Sequence, residues 1–146
     1  MFDLRFPTTL IMMMLIADAA ESGRPTVSST ELASKLDNNP SFVRALVVPL
    51  VHDGLVTSVR GRTGGLGLGR PASEITLSEI YRSAVAGKRI WDQRDEVPHV
   101  CEVTTKACRY FRGLTDEIED VVLAMLGSKT LADSLADLRK LPPEAA

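Results

Sequence analysis

A chain of 146 residues, 45% of them hydrophobic, is about one domain, enough to bury a core but too short for two independent ones. Its net charge of −2 excludes a protein that coats nucleic acid by bulk basicity. The charge is uneven: residues 41–71 set Arg44, Arg60, Arg62 and Arg70 against the single Asp53, whereas residues 113–146 carry seven acids against three bases. A basic head with an acidic far end suits specific rather than general contact with DNA.

The first apolar run, Leu10–Ala17, contains Met12, Met13 and Met14 and is followed by Asp18-Ala19-Ala20. It has the outline of a short signal-peptide core with small residues behind it. Asp3 cancels Arg5 in the flank, however, and eight apolar residues fall far short of a membrane span. The expectation is a buried first helix, packing Leu10, Met14 and Ala17, in a cytoplasmic protein with no membrane partner.

Ser28-Ser29-Thr30-Glu31 reads as a capping box that opens a short helix burying Leu32, Ala33 and Leu36. Asp37-Asn38-Asn39 ends it. Asn39 then caps a second helix with Pro40 at its first position, where a missing N–H costs nothing. The inward face of this helix is Val43, Leu46, Val47 and Leu50. Asn39, Ser41 and Arg44 point outward near its start, with Phe42 at the edge. Pro49 removes the hydrogen bond to the Ala45 carbonyl, at a usual cost of about 3 kcal/mol, so a kink or an early end is expected there.

Two short runs, Leu55–Val59 and Leu66–Leu68, flank a turn of Arg60, Gly61, Arg62, Thr63, Gly64 and Gly65, which is the signal of a short hairpin. Glycines let backbone approach a phosphate wall, and arginine suits both phosphate and a narrow, electronegative minor groove. Helix, turn, helix and ribbon is the layout of a winged helix-turn-helix, whose second helix enters the major groove by its N-terminal end. Asn39, Ser41, Phe42, Arg44, Arg60, Gly61, Arg62 and Thr63 are the DNA-binding candidates.

From Ser28 to Leu77 the segments TELASKL, NPSFVRAL, HDGLV, SVRGRTGGLGL and RPASEITL, in that order, resemble the Rrf-two (IscR/NsrR) family of bacterial winged-helix transcriptional regulators. The resemblance continues more weakly to Thr130-Leu131-Ala132-Asp133. It implies a homodimer on a double-stranded DNA operator, with Arg60 in the place of the wing-tip arginine that enters the minor groove. Ser41, Phe42 and Arg44 match the base-reading end of the recognition helix.

Behind the wing, Thr76-Leu77-Ser78-Glu79 repeats the capping-box pattern and starts a helix with Leu77, Ile80, Tyr81 and Val85 inward, ended by Gly87. Residues 88–98 have no period and read as a loop carrying Trp91 as a packing anchor. From Cys101 the chain reads as one long helix, with Leu114, Ile118, Val121, Val122, Met125 and Leu126 as an apolar stripe. A second copy is the expected cover for Leu114, Ile118, Val121, Val122 and Met125, with packing against the first helix as the alternative.

His99, Cys101 and Cys108 are the sensing candidates. Iron–sulfur members of the resembling family carry three cysteines in this region, and this chain has two. A two-iron, two-sulfur cluster needs four ligands, so neither a cluster nor zinc is expected. On one helix the two thiols would stand about 10 Å apart along the axis, beyond the reach of an unstrained disulfide. Cys101, beside Pro98, is the more accessible, and a protonated His99 would lower its pKa. The bland alternative is a buried Cys108 and a bystander Cys101. His52 reads as a cap or surface residue.

No enzyme is expected. The Gly64–Gly69 run lacks the Gly-Lys-Ser/Thr of a phosphate loop and no helix opens directly after it, and two histidines with scattered acids assemble no catalytic site. The expected fold is mainly α with a small β-wing: a winged helix-turn-helix over residues 1–87, a loop over 88–98, and a dimerisation helix with C-terminal tail over 99–146. The expected function is a dimeric, sequence-specific transcriptional regulator, a repressor responding to redox or electrophile stress through Cys101. The alternatives are a winged-helix protein-interaction module without DNA binding and an iron–sulfur regulator with non-standard ligands.

Overall fold

The computed structural model describes residues 3–94 and 96–145. Helix α1 (Arg5–Glu21) has no cap from its N-cap residue Leu4, but the Asp3 carboxylate accepts from the Arg5 N–H at 2.9 Å, and tertiary packing holds the rest. It buries Thr9, Met12, Met13, Ile16 and Ala17. Ala17 is inside as expected, and Leu10 and Met14 pack against the core while remaining half-buried, so the fully buried face is centred on Met12, Met13 and Ile16 instead. A run apolar on nearly every side has no polar stripe to mark its outer face, and the elements packed around it choose.

Helix α2 (Ser29–Lys35) starts as expected, the Ser28 side chain accepting from the Glu31 N–H at 3.1 Å. Only half of the box forms, because the Glu31 carboxylate is taken by Arg24, at 3.0 and 2.7 Å, and by Lys35 at 3.2 Å. Asp37, in the left-handed region at φ 48°, turns the chain into α3 (Pro40–His52). Asn39 caps α3 by accepting from the Ser41 N–H at 2.8 Å, and Val43, Leu46, Val47 and Leu50 are buried as the spacing predicts.

Pro49 does not end α3, which runs on to His52. The carbonyl deprived of its donor belongs to Ala45, which is exposed and so can be hydrated, while the following Leu50 is fully buried. Burying a leucine contributes about 1.5–3 kcal/mol, comparable to the proline's cost.

Strands β1 (Val56–Val59) and β2 (Gly65–Leu68) pair antiparallel with Val56 opposite Leu68 and Val59 opposite Gly65. The segment before α2 lies along the outer edge of β2. Val27 donates to and accepts from Leu66, at 2.9 and 2.8 Å, and the Thr26 hydroxyl donates to the Thr63 carbonyl at 3.3 Å. A Cβ on Gly67 would stand 2.6 Å from the Pro25 carbonyl oxygen, so this close approach requires glycine there. The wing is therefore tied to the entrance of the helix-turn-helix.

After a 3-10 turn at Ala72–Glu74, Thr76 caps α4 (Leu77–Val85) with both halves of the capping box present. Leu77, Ile80, Ser83 and Ala84 are buried; Tyr81 and Val85, expected inside, are half-buried. Tyr81 meets Phe6 of α1 edge-on at 5.2 Å. The helix closes at Ala86, in the left-handed region at φ 50°, just before Gly87.

Helix α5 (Glu102–Gly127) is the long helix, but it does not run into a tail. The chain turns at Ser128–Thr130 and a capped helix α6 (Leu131–Lys140) returns to α1. Leu131 and Leu135 join the same core as Met12 and Ile80. Arg139 pairs with Asp18 and Glu21 of α1, both at 2.6 Å. The Leu131 N–H donates to the Ile75 carbonyl at 2.8 Å and the Leu77 N–H to that of Lys129 at 2.9 Å.

Candidate nucleic-acid interface

Asn39, Ser41 and Arg44 stand exposed on the first turns of α3. Asn39 is occupied as the cap, so its free donor is the side-chain NH₂. Phe42 is half-buried and packed against the core. The outward face of the helix continues through exposed Ala45 and Val48.

Arg60, Gly61, Arg62 and Thr63 are exposed at the tip between β1 and β2. Gly61 has φ 111°, and the turn is closed by the Gly64 N–H donating to its carbonyl at 3.1 Å. Two other cations near this head are neutralised. Arg24 is forked onto Glu31, and Arg70 donates to the Glu74 carbonyl at 3.0 Å and to the Glu79 carboxylate at 2.7 Å. Arg70 belongs to the frame of α4 rather than to a binding surface, and Arg44, Arg60 and Arg62 carry the exposed charge. Sequence reasoning missed the Arg24–Glu31 fork because it joins the loop before α2 to the helix outside any helical spacing, and the Thr26–Thr63 tie because its partners lie 37 residues apart.

Cys101 is the exposed N-cap residue of α5, and its Sγ lies 3.5 Å from the Thr104 hydroxyl. Hydrogen bonds from the Thr104 backbone N–H and hydroxyl hold this thiol below its ordinary value. Cys108 is half-buried within the helix and His99 is exposed. Trp91 is also exposed, its ring tilted toward Phe111 at a centroid distance of 6.1 Å. His52 is exposed, with Nδ1 3.1 Å from the Asp53 carboxylate.

Of the expected stripe on α5, Leu114, Val121 and Met125 are exposed and Ile118 is half-buried. Val122 shares a cleft with Phe6 and Tyr81, and Leu126 packs against the core. The helix thus has two apolar sides, one against α4 and one facing outward.

A helix-turn-helix followed by a β-ribbon, with arginines exposed at the ribbon's tip and on the second helix, defines a winged-helix DNA-binding regulator. Residues 5–137 match the Rrf2 family, described as iron-dependent transcriptional regulators, and the chain belongs to that family. It is a regulator of transcription and not an enzyme. The HTH-type transcriptional regulator IscR of Cereibacter sphaeroides is 38% identical over 74 residues, 51% of this chain and 48% of that one; the chain thus spans about half the length of this curated relative in the match. The structure of CymR, the global cysteine regulator of B. subtilis, superposes with a TM-score of 0.63 at 26% identity, over 93% of this chain and 96% of that one. IscR of T. potens superposes with a TM-score of 0.70 over 99% of this chain and 93% of that one, and at 21% identity it shows the fold alone.

The family description raises iron, and the side chains present do not fit it. Among the described residues no three His, Cys, Asp or Glu side chains come together as a metal site. One thiol caps α5 and the other lies two turns along it, so a single chain offers two thiolates about 10 Å apart, against the four ligands a cluster needs. No helix among the described residues is long and apolar enough to cross a membrane.

Proposed function

We propose that the chain acts as a homodimer that represses transcription by occupying a double-stranded operator in the cytoplasm. Residues 1–87 form the reading head, 88–98 the link and α5 the dimer arm, with α6 folded back onto the head. The observation that carries the DNA reading is the exposure of Arg44 on α3 together with Arg60 and Arg62 on the wing tip, while neighbouring arginines are tied down. Asn39, Ser41 and Arg44 address base edges in the major groove, and Arg60 enters the minor groove beside it. Gly61 and Thr63 let the tip backbone approach phosphate.

The dimer rests on the outward face of α5. Val103 and Tyr110 (both 73% exposed), Leu114 (37%), Val121 (68%) and Met125 (55%) recur at spacings of seven and four, with Ala107 and Ile118 in the gaps. Such a stripe on a 26-residue helix, about 39 Å long, is what a second copy covers.

Cys101 couples this assembly to oxidants. Peroxide converts its thiolate to the sulfenate with release of water, and the added polar bulk at the cap of the dimer arm shifts the spacing of the two heads. The test starts from DNA selected by the wild-type protein out of a random duplex pool. The expected footprint is two half-sites about one helical turn apart, lost on peroxide treatment and retained by Cys101→Ser. Enrichment of no sequence would leave a protein-interaction module, and identical peroxide responses of wild type and Cys101→Ser would remove the thiol switch.

A further inference from the structure

The outward face of α3 presents Ser41, Arg44, Ala45 and Val48 at spacings of three, one and three, so all four lie along one side of the helix. Ser41 and Arg44 are polar, as a base-reading end requires. Val48 is not: it is 68% exposed, one turn beyond Arg44, in the middle of a 13-residue helix. A β-branched residue lowers helix propensity, and an uncovered isopropyl group returns nothing to the core. Ala45 beside it is exposed as well, and α3 carries no carboxylate anywhere along its length. The face is therefore cationic and polar at its start, apolar one turn later, and free of the acidic groups that would repel phosphate or accept a hydrogen bond from the cytosine amino group.

One component of the major groove answers to an exposed methyl surface. Thymine alone presents a C5-methyl group there, and small apolar side chains are the natural contact for it. We propose that Val48, supported by Ala45, reads thymine methyl groups, so that each operator half-site carries thymine beside the base addressed by Arg44. The proposal rests on the DNA-binding reading above and adds to it the chemistry of the bases selected.

Deoxyuridine pairs like thymidine and lacks only the methyl, which makes the test direct. Affinity is measured for wild type, Val48→Ala and Val51→Ala on the DNA selected by the wild-type protein, prepared with thymine or with uracil throughout. Covering one methyl is worth about a fourfold change in affinity. Wild type should bind the uracil duplex about fourfold or more weakly, and Val48→Ala should bind the thymine duplex weaker by a similar factor. Val48→Ala on the uracil duplex should lose less than about twofold more, because the contact is already gone.

Val51, 40% exposed in the last turn of α3, loses the same two methyl groups on substitution and serves as the control for helix stability. Val51→Ala should keep the full preference for thymine. Additive losses from Val48→Ala and uracil, or an equal loss of thymine preference in Val51→Ala, would overturn the assignment to Val48. Selection of no DNA by the wild type would overturn the DNA reading itself, and an Arg60→Ala loss with no uracil effect would leave that reading standing and remove this one.

Discussion

Leu131→Ala examines the helix that returns to the reading head. Leu131 is completely buried, its N–H donates to the Ile75 carbonyl, and it shares a core with residues of α1, α3 and α4. Truncation leaves those backbone bonds in place and removes three side-chain carbons from a packed site. The lost transfer energy and the residual cavity together cost about 2–5 kcal/mol. For a domain of this length each kcal/mol moves the midpoint by about 2–4 °C, so the melting temperature should fall by about 4–20 °C. Circular dichroism melts at fixed protein concentration read this out, the concentration being held because the proposed dimer would add to apparent stability. Leu141→Ala is the control: its side chain is 69% exposed just beyond α6, and the change should cost less than about 0.5 kcal/mol. A Leu131→Ala midpoint within 2 °C of that control would show that α6 is not part of the core.

Arg60→Ala should weaken operator binding by about 1–3 kcal/mol and leave the melting temperature unchanged, since an exposed tip arginine supports nothing inside; unchanged affinity in a mobility shift would remove the wing from the mechanism. Val121→Asp places a charge in the exposed stripe of α5 and should give monomers by light scattering, whereas a persistent dimer would move the interface elsewhere. Thr26→Val breaks the tie to the Thr63 carbonyl and should lower operator affinity several-fold; in an Arg60→Ala background the same change should have little effect, and independent losses would refute a shared route. Arg24 and then Lys35 hold the Glu31 carboxyl down at about 2, against an ordinary value of 4.5. Its stabilising contribution is therefore present above about pH 4.5 and lost as the pH falls toward 2. The melting-temperature gap between wild type and Glu31→Gln should narrow over that window, and a gap constant with pH would contradict the ion pair.

What the sequence determined by itself was whatever local chemistry specifies. Ser28, Asn39 and Thr76 act as caps where the spacing places them, because a side-chain oxygen two or three residues ahead of an orphan N–H is a local geometric fact. The inward face of α3 was legible because Val43, Leu46, Val47 and Leu50 recur at helical spacings of three and one, and the wing because its glycine-rich turn separates two short runs that pair as strands.

Tertiary structure decided the rest. In α1 nearly every position from Leu10 to Ala17 is apolar, so which of them are buried depended on α4 and α6 packing beside it. The survival of α3 past Pro49 depended on Leu50 reaching the core while Ala45, whose carbonyl lost its donor, lies on the exposed side. The stripe on α5 is a superposition of two faces, and only the position of α4 separates Val122 and Leu126 from Val121 and Met125. Which arginines stay without an acidic partner likewise depended on folding, because whether Glu31 reaches Arg24, seven residues away, and Glu79 reaches Arg70, nine residues away, is set by the turns between them and leaves no period in the sequence.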